Sequence, residues 1–311
     1  MGAKHNGAEH RGAEHSGTRT GRFEPWHYPV MLKESLEYLA IRPDGIYVDV
    51  TAGLGGHTQA IAEQLDGGLV IACDRDAESL DMARARTAGR ADRIRFFVGP
   101  FSNLSQGLEE NGIELVDGVL ADLGASRYQL SSAERGFSLM EDGPLDMRMD
   151  RSHGITAADL VNELPEKALA DLIYQFGEER RSRRISRAIV RARPILTTGR
   201  LAKVIEEAVP RTGRIHPATQ TFMALRLKVN EELEELENLL RVAPERIRPG
   251  GRFVVLTFMS AEDRKVKRTF QSLARVGRAT ILTKHVVRPS EEEIAENAAS
   301  RSAKLRALEL Q

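Results

Sequence analysis

The sequence of 311 residues lacks the features that mark several classes of protein. Its single cysteine, Cys73, excludes a disulfide framework and a cysteine-rich metal site, and it favours a reducing compartment. No apolar run approaches the roughly 18 residues that a membrane span needs, and no secretory signal opens the chain. We therefore predict a cytoplasmic protein that has no membrane partner and no metal site.

An excess of charge of either sign is also missing. The chain carries 45 basic and 45 acidic residues, so its formal net charge is zero. This balance argues against a general polyanion binder but is compatible with one local basic face. A hydrophobic content of 41% and a charged content of 29% are typical of a globular protein.

The N-terminal residues 1–22 have no apolar periodicity. They repeat the pattern G-A-[KE]-H-x three times and place His5, His10 and His15 five residues apart. Such a composition cannot bury a core, so we predict a disordered tail.

Helix and strand patterns alternate from residue 23 to about residue 126, which predicts βαβ units and a parallel sheet covered by helices. Residues 127–227 then read as loops and helices only. Strand signals return at Arg252–Phe258, after a Pro249-Gly250-Gly251 turn, and continue at Ala279–Val287 and Leu305–Leu310. We predict an α/β, Rossmann-like domain of residues 23–126 and 228–311, interrupted by an all-helical inserted domain that forms the substrate site.

The most informative segment is Val48–His57, V-D-V-T-A-G-L-G-G-H, which joins a β-branched strand to a helix through three glycines. Glycine lets a backbone approach a ligand closely, and the helix start offers free N–H donors. Asp74 ends the next strand, about 20 residues later, where an acid suits the hydroxyls of a ribose. The segment therefore predicts a ribose-bearing ligand.

Three ligands compete for this loop. The dinucleotide pattern G-x-G-x-x-G is met at Gly53 and Gly55, but its sixth position is Thr58, which disfavours NAD. A phosphate-binding Walker loop requires a lysine that Gly56-His57-Thr58 lacks. S-adenosylmethionine has no phosphates and needs acids at successive strand ends. Asp49, Asp74 and Asp122 occupy such positions.

The run from Glu134 to Asp150, E-R-G-F-S-L-M-E-D-G-P-L-D-M-R-M-D, closely resembles the signature of the RsmH/MraW family of bacterial methyltransferases. Further segments resemble the same family, among them His27–Leu32, Gly99–Ser102, Gly177–Arg180, His216–Phe222, Glu262–Arg264 and Arg301–Arg306. The resemblance extends from about residue 27 to residue 309. One departure is Met259, which stands where the family commonly has histidine.

This resemblance implies S-adenosyl-L-methionine as the cofactor and the N4 amine of a cytosine in the decoding centre (P site) of 16S ribosomal RNA as the acceptor. It implies a partner in 16S rRNA, within the 30S subunit, and it leaves a homodimer open. The cofactor contacts that it implies are Gly55, Gly56, His57, Asp74, Phe101, Asp122 and Gln129.

Asp122 is the predicted catalytic residue, because a carboxylate at this strand end suits acceptance of the N4 proton. Phe137 or Tyr128 is the candidate for stacking on the base. Seven arginines crowd one helical segment around the apolar Ile185 and Ile189, and phosphate contact is expected there. The predicted RNA-binding side chains are Arg180, Arg183, Arg184, Arg187 and Phe137.

Two other functions stay open on the residues alone. An NAD-dependent oxidoreductase would use the glycine loop for a nicotinamide cofactor. A non-catalytic RNA-binding assembly module would show the basic helix without taking up any cofactor.

Overall fold

The computed structural model describes residues 28–211, 213 and 215–311. The predicted disordered tail, residues 1–22, lies outside the described residues.

Seven strands form one sheet in the described part of the chain, in the order β3-β2-β1-β4-β5-β7-β6. The first five strands in this order, from β3 to β5, run parallel to one another. Strand β7 is antiparallel to both β5 and β6. The strands are β1 (Ile46–Asp49), β2 (Leu69–Asp74), β3 (Ile94–Val98), β4 (Val116–Asp122), β5 (Ile247–Thr257), β6 (Ala279–Ile281) and β7 (Lys304–Leu310). This confirms the predicted Rossmann-like α/β class.

Both faces of the sheet are buried, which explains why its strands read as nearly continuous apolar runs. Alternate residues of β2 face opposite ways: Ile71 and Cys73 join one core, whereas Val70 and Ala72 join the other. Cys73 is therefore a small core residue, and burial raises the pKa of its thiol.

Three helices contribute to each of the two cores. The first core includes residues of α4 (Leu104–Glu110), α11 (Glu232–Arg246) and α12 (Ser260–Arg275), and the other includes residues of α1 (Leu32–Leu39), α2 (Gly56–Glu63) and α3 (Ala77–Arg86). A short helix, α13 (Glu291–Glu296), lies between β6 and β7.

The segment between β4 and α11 is helical and has a hydrophobic core of its own. Its helices are α5 (Arg127–Ser131), α6 (Ala157–Glu163), α7 (Glu166–Gly177), α8 (Ser182–Ala192), α9 (Thr198–Ala208) and α10 (Thr219–Val229). Because α10 continues to Val229, the predicted boundary at residue 228 falls in its last turn. We refer to this segment as the insertion.

Several elements of the described residues differ from the sequence-based expectation, among them the short helices α5 and α13, which were not predicted. Helix α11 was not predicted, although Leu236, Leu239, Leu240 and Ala243 have helical spacing and are buried. Pro244 lies inside it, and an interior proline usually argues against a helix. The predicted strand Ala279–Val287 is also shorter: β6 ends at Ile281, and Val287 makes only an isolated bridge with Leu305.

The predicted turn at Pro249-Gly250-Gly251 is an irregularity inside β5. Ile247 pairs with Val116 and Arg252 with Gly118, so the pairing register shifts between them. No helix in the described ranges is both long enough and apolar enough to cross a membrane.

Candidate active site

The glycine loop lies between β1 and α2 and is held by the end of β2. Gly53 has a φ of 51° and donates its N–H to Asp74 Oδ2 at 2.8 Å. Gly55, with a φ of 78°, precedes α2, and a Cβ there would come within 3.1 Å of Ala83 on α3. The first glycine thus faces the carboxylate, while the second permits close packing of two helices.

Thr58, which replaces the third glycine of the dinucleotide pattern, has a role of its own. Its hydroxyl donates to Asp49 Oδ2 at 2.7 Å, and both residues are fully buried. The N–H of Thr51 donates to the other oxygen of Asp49 at 3.2 Å. Burial raises the pKa of Asp49 to about 6, and these hydrogen bonds oppose that rise. Asp49 therefore accepts hydrogen bonds from both ends of the glycine loop, at Thr51 and at Thr58.

A second buried network orients Gln129. Its Nε2 donates to Asp76 Oδ2 at 2.7 Å, and its Oε1 accepts the N–H of Ser126 at 2.9 Å. Asp76 itself caps α3. Burial raises the pKa of the neighbouring Asp74 to about 6. The side chains at the end of β2 are thus fixed to the start of the insertion.

Asp122, at the end of β4, carries one of the unsatisfied polar atoms of the site, as Arg75 and Asn297 also do. Its Oδ1 is buried without a hydrogen-bond partner among the described residues, and its Oδ2 lies 3.7 Å from His57 Nδ1. Burial, with Asp49 and Glu262 as nearby negative charges, raises the pKa of Asp122 to about 8. Such a carboxyl group is a much stronger base than an ordinary aspartate.

His57 is a neutral partner for this carboxyl group. Its Nε2 lies 3.1 Å from the carbonyl oxygen of Val30, and a carbonyl only accepts, so Nε2 carries the hydrogen. Burial lowers the pKa of His57 to about 4. The bare Nδ1 therefore faces Asp122.

These groups surround a cavity of about 520 Å³, which we call the main cavity. Six of the seven predicted cofactor residues line it, whereas Gly55 does not. The six are Gly56, His57, Asp74, Phe101, Asp122 and Gln129. Tyr28, Pro29 and Val30 line it as well, and the resemblance had marked their segment without assigning it a role.

No sequence pattern predicted that Arg226 and Glu232 line the main cavity, where they lie together with Glu262. Arg226 donates two hydrogen bonds to the carboxylate of Glu232, at 2.8 and 3.0 Å. Glu262 accepts the N–H groups of Phe258 and Met259, each at 3.0 Å. Only the acid at position 262 had a sequence signal, the Glu262–Arg264 match. Arg226 comes from α10, so the insertion contributes to the cavity.

The signature run Glu134–Asp150 forms the junction between the insertion and the sheet. Arg135 is 2% exposed, contacts Asp76 at 2.9 Å and Glu78 at 3.0 Å, and donates to the carbonyl of Met149 at 2.8 Å. Gly136 and Gly143 pass so close to other backbone atoms that a Cβ would lie about 2 Å from a carbonyl oxygen.

The position of Phe137 does not fit its predicted role of stacking on an RNA base. The residue is 6% exposed and packs in the core of the insertion, so its ring faces are not available to a base. Tyr128 is half-buried and its hydroxyl donates to Glu78 Oε2 at 3.3 Å, but this contact does not occupy a ring face, so stacking by Tyr128 stays a prediction.

The arginines of α8 divide into two groups. Arg181 pairs with the buried Glu179, and Arg193 donates to backbone carbonyls of Val161 and Leu164. Arg187 has only an exposed contact with Glu166, at 3.4 Å. The exposed side chains without an ion pair in the described residues are Arg180, Arg183, Arg184 and Arg191. Ile185 and Ile189 are buried as predicted.

A metal ion has no evident place here. Among the residues that the structure describes, no group of three or more His, Cys, Asp or Glu side chains is arranged to hold one.

Comparison with known proteins identifies the family. The sequence model of the MraW methylase family matches residues 24–311. A protein of Solibacter usitatus named "Ribosomal RNA small subunit methyltransferase H" is 62% identical over 91% of this chain and 99% of its own length. A protein of the same name from Acidobacterium capsulatum is 49% identical over 91% and 98% of the two chains.

Among solved structures, an rRNA methylase from Streptococcus thermophilus covers 89% of this chain and 94% of its own, at 13% identity and a TM-score of 0.43. The sequence relatives are far closer than this. The chain therefore belongs to the MraW methylase family, and its cofactor is S-adenosyl-L-methionine.

Proposed function

We propose that this protein methylates the N4 amine of a cytosine in the decoding centre of 16S ribosomal RNA, with S-adenosyl-L-methionine as the methyl donor. The relatives named for small-subunit rRNA methylation support the RNA class. The cytosine and its N4 come from the resemblance of the Glu134–Asp150 signature. The observation that carries the chemistry is a buried oxygen of Asp122 at the wall of the main cavity, which has no hydrogen-bond partner among the described residues.

The main cavity suits the cofactor. Its 520 Å³ lies within the usual range for small-molecule sites. Asp74 stands where a ribose is held, the loop at Gly53–Gly56 leaves the backbone accessible, and Phe101 and Gln129 line the same wall. When bound, the cofactor supplies an electrophilic methyl group.

Asp122 supplies the basic group. The N4 amine of cytosine is a weak nucleophile because its lone pair is delocalised into the ring. An Asp122 oxygen that accepts an N4–H bond favours localisation of that lone pair and receives the proton that methylation releases. His57 bears no proton at Nδ1, so it does not neutralise the Asp122 carboxylate by an ion pair.

Membership of the MraW methylase family argues against an NAD-dependent oxidoreductase. The sixth position of the dinucleotide pattern is Thr58, whose hydroxyl donates to Asp49. The exposed arginines at the start of α8 are proposed phosphate contacts. In this proposal the insertion, residues 127–227 in the predicted boundaries, is the substrate-recognition domain.

The direct test is transfer of a tritiated methyl group to 30S subunits and to naked 16S rRNA, followed by nucleoside analysis. Label in N4-methylcytidine is the expected result. Label in another nucleoside would contradict the assignment of the acceptor, and cofactor binding without transfer would indicate the non-catalytic RNA-binding module.

Replacement of Asp122 by Asn tests the base. We expect kcat to fall about 10²- to 10⁴-fold while the dissociation constant of the cofactor changes little. Because the deprotonated form is active, kcat/KM at limiting cofactor should rise with pH through about 8 in the parent protein. The variant should lack this limb. An Asn variant with full turnover would refute the catalytic role.

A further inference from the structure

A second cleft of about 490 Å³ opens beside the main cavity, between the insertion and the turn from β5 to α12. The turn contributes Phe258–Ala261, and the insertion contributes Phe176, Gln220 and Met223 from α7 and α10. Phe258 lines both spaces. Phe258 is therefore a residue that borders both the main cavity and the second cleft, and its side chain packs against the core that contains residues of α1, α2 and α3.

The position of Phe258 is firmly set. Glu262, 2% exposed, accepts the N–H groups of Phe258 and Met259, so the turn is tied to the first turn of α12. Gly124, after β4, lies close to the ring, since a Cβ there would meet Phe258 Cδ2 at 3.7 Å. An aromatic residue that borders two cavities and whose backbone is held in this way is suited to separate two flat ligands.

The lining of the second cleft suits an uncharged, flat group. Phe176, Met223 and Met259 supply apolar surface, and methionine adapts its shape readily. The amide of Gln220 is exposed and makes no hydrogen bond to any described residue, so both its donor and its acceptor are free. An amide can pair with the edge of a base.

A phosphate is less well served by the described lining. Arg181 gives Glu179 two hydrogen bonds, at 3.1 and 3.2 Å, and its third nitrogen donates to the carbonyl of Pro210. Glu178 adds a negative charge at the rim. Arg180 lies between Glu179 and Arg181 in sequence but does not line the cleft. It is exposed and has no ion pair among the described residues.

We propose that the second cleft holds the base of the nucleotide next to the methylated one, with Phe258 as the wedge that separates the two bases. This inference rests on the proposed function, because it assumes that the target base enters the main cavity beside Asp122. Aromatic rings commonly stack on unstacked RNA bases, and contacts to flanking nucleotides set the sequence context of enzymes that act on an extruded base. Gln220 is then a specificity-determining residue.

Site-directed labelling tests the location. Cys73 is buried, so a cysteine introduced at the exposed Gln220 or Ser260 reacts selectively with a maleimide. We expect the label to lower methyl transfer to 30S subunits at least tenfold relative to the same variant unlabelled, with unchanged cofactor affinity by calorimetry. Labelled Val276→Cys, 65% exposed at the far end of α12, is the matched control.

Variants of the ring test its role. Phe258→Leu should lower kcat/KM for 30S subunits about tenfold, within the range of base stacking on an aromatic ring, and Phe258→Tyr should restore it. A smaller effect of both labels, or a Leu variant equal to the parent, would overturn the subsite. Absence of transfer by the parent protein would instead overturn the proposed function, and this inference with it.

Discussion

The main cavity and the second cleft are built in opposite ways. Around the main cavity, Asp49, Asp74 and Gln129 are buried or nearly so and are held by backbone N–H groups or by other side chains. In the second cleft, Gln220 is exposed and makes no side-chain hydrogen bond to any residue that the structure describes. A rigid, preorganised site suits a small ligand of constant shape, whereas adaptable side chains suit a strand of RNA.

Arg135 joins the insertion to the sheet: it lies in the insertion, is 2% exposed and contacts Asp76 and Glu78 at the start of α3. Replacing it by methionine would leave Asp76 without its cation in a buried setting, so we expect a loss of about 3–5 kcal/mol in the free energy of unfolding. Urea denaturation measures this loss. Arg151→Met, an exposed and longer contact to Asp146, is the control and should cost at most about 1 kcal/mol. Equal losses would show that Arg135 does not couple the regions.

The hydroxyl of Thr58 is one of the hydrogen-bond donors to the buried Asp49 beneath the glycine loop. Thr58→Val removes the side-chain donor to Asp49 Oδ2 and should cost about 1–3 kcal/mol, while Thr58→Ser should retain most of the stability. The pKa of Asp49 is raised, so the folded state already loses stability as pH rises from about 4 to 6. The valine variant should lose more at pH 8, where the carboxylate is charged, than at pH 5. A pH-independent loss would contradict this account.

The same position tests the choice of ligand. Thr58→Gly completes the dinucleotide pattern G-x-G-x-x-G. It does not change the carboxylate of Asp74, which accepts the N–H of Gly53, or the other residues that line the main cavity. We expect calorimetry to detect no NAD binding by this variant. Measurable NAD binding would show that the sixth position alone selects the cofactor.

The smallest expected effect concerns the exposed arginines of the insertion. Arg183→Gln with Arg184→Gln should leave the fold intact and reduce the slope of log affinity for RNA against log salt by about 1.4–1.8, since each phosphate contributes about 0.7–0.9. Lys167→Gln, an exposed cation already paired with Asp171, is the control. An unchanged slope in the double variant would show that Arg183 and Arg184 do not contact RNA phosphates.

Much of the sheet was predictable because its strands are buried on both faces and its glycine loop is distinctive. The strand ends at Asp49, Asp74 and Asp122 follow from the βαβ pattern alone. Helix α11 was missed although Leu236, Leu239 and Leu240 have helical spacing. The family signature was recognisable. Its residue types did not indicate that Arg135 forms buried ion pairs or that Phe137 packs in the core of the insertion.

By itself, the sequence determined the fold class and the family, because these depend on local periodicity and on contiguous motifs. The resemblance also predicts cofactor contacts, six of which line the main cavity. Only the tertiary structure brought Arg226, Glu232 and Phe258 to the main cavity, since these residues lie more than 100 positions from Asp122 in the chain. It alone decided that Thr58 is the partner of a buried carboxylate and that Phe137 cannot stack on a base. Burial and pairing across distant segments are properties of the packed chain, and no local pattern encodes them.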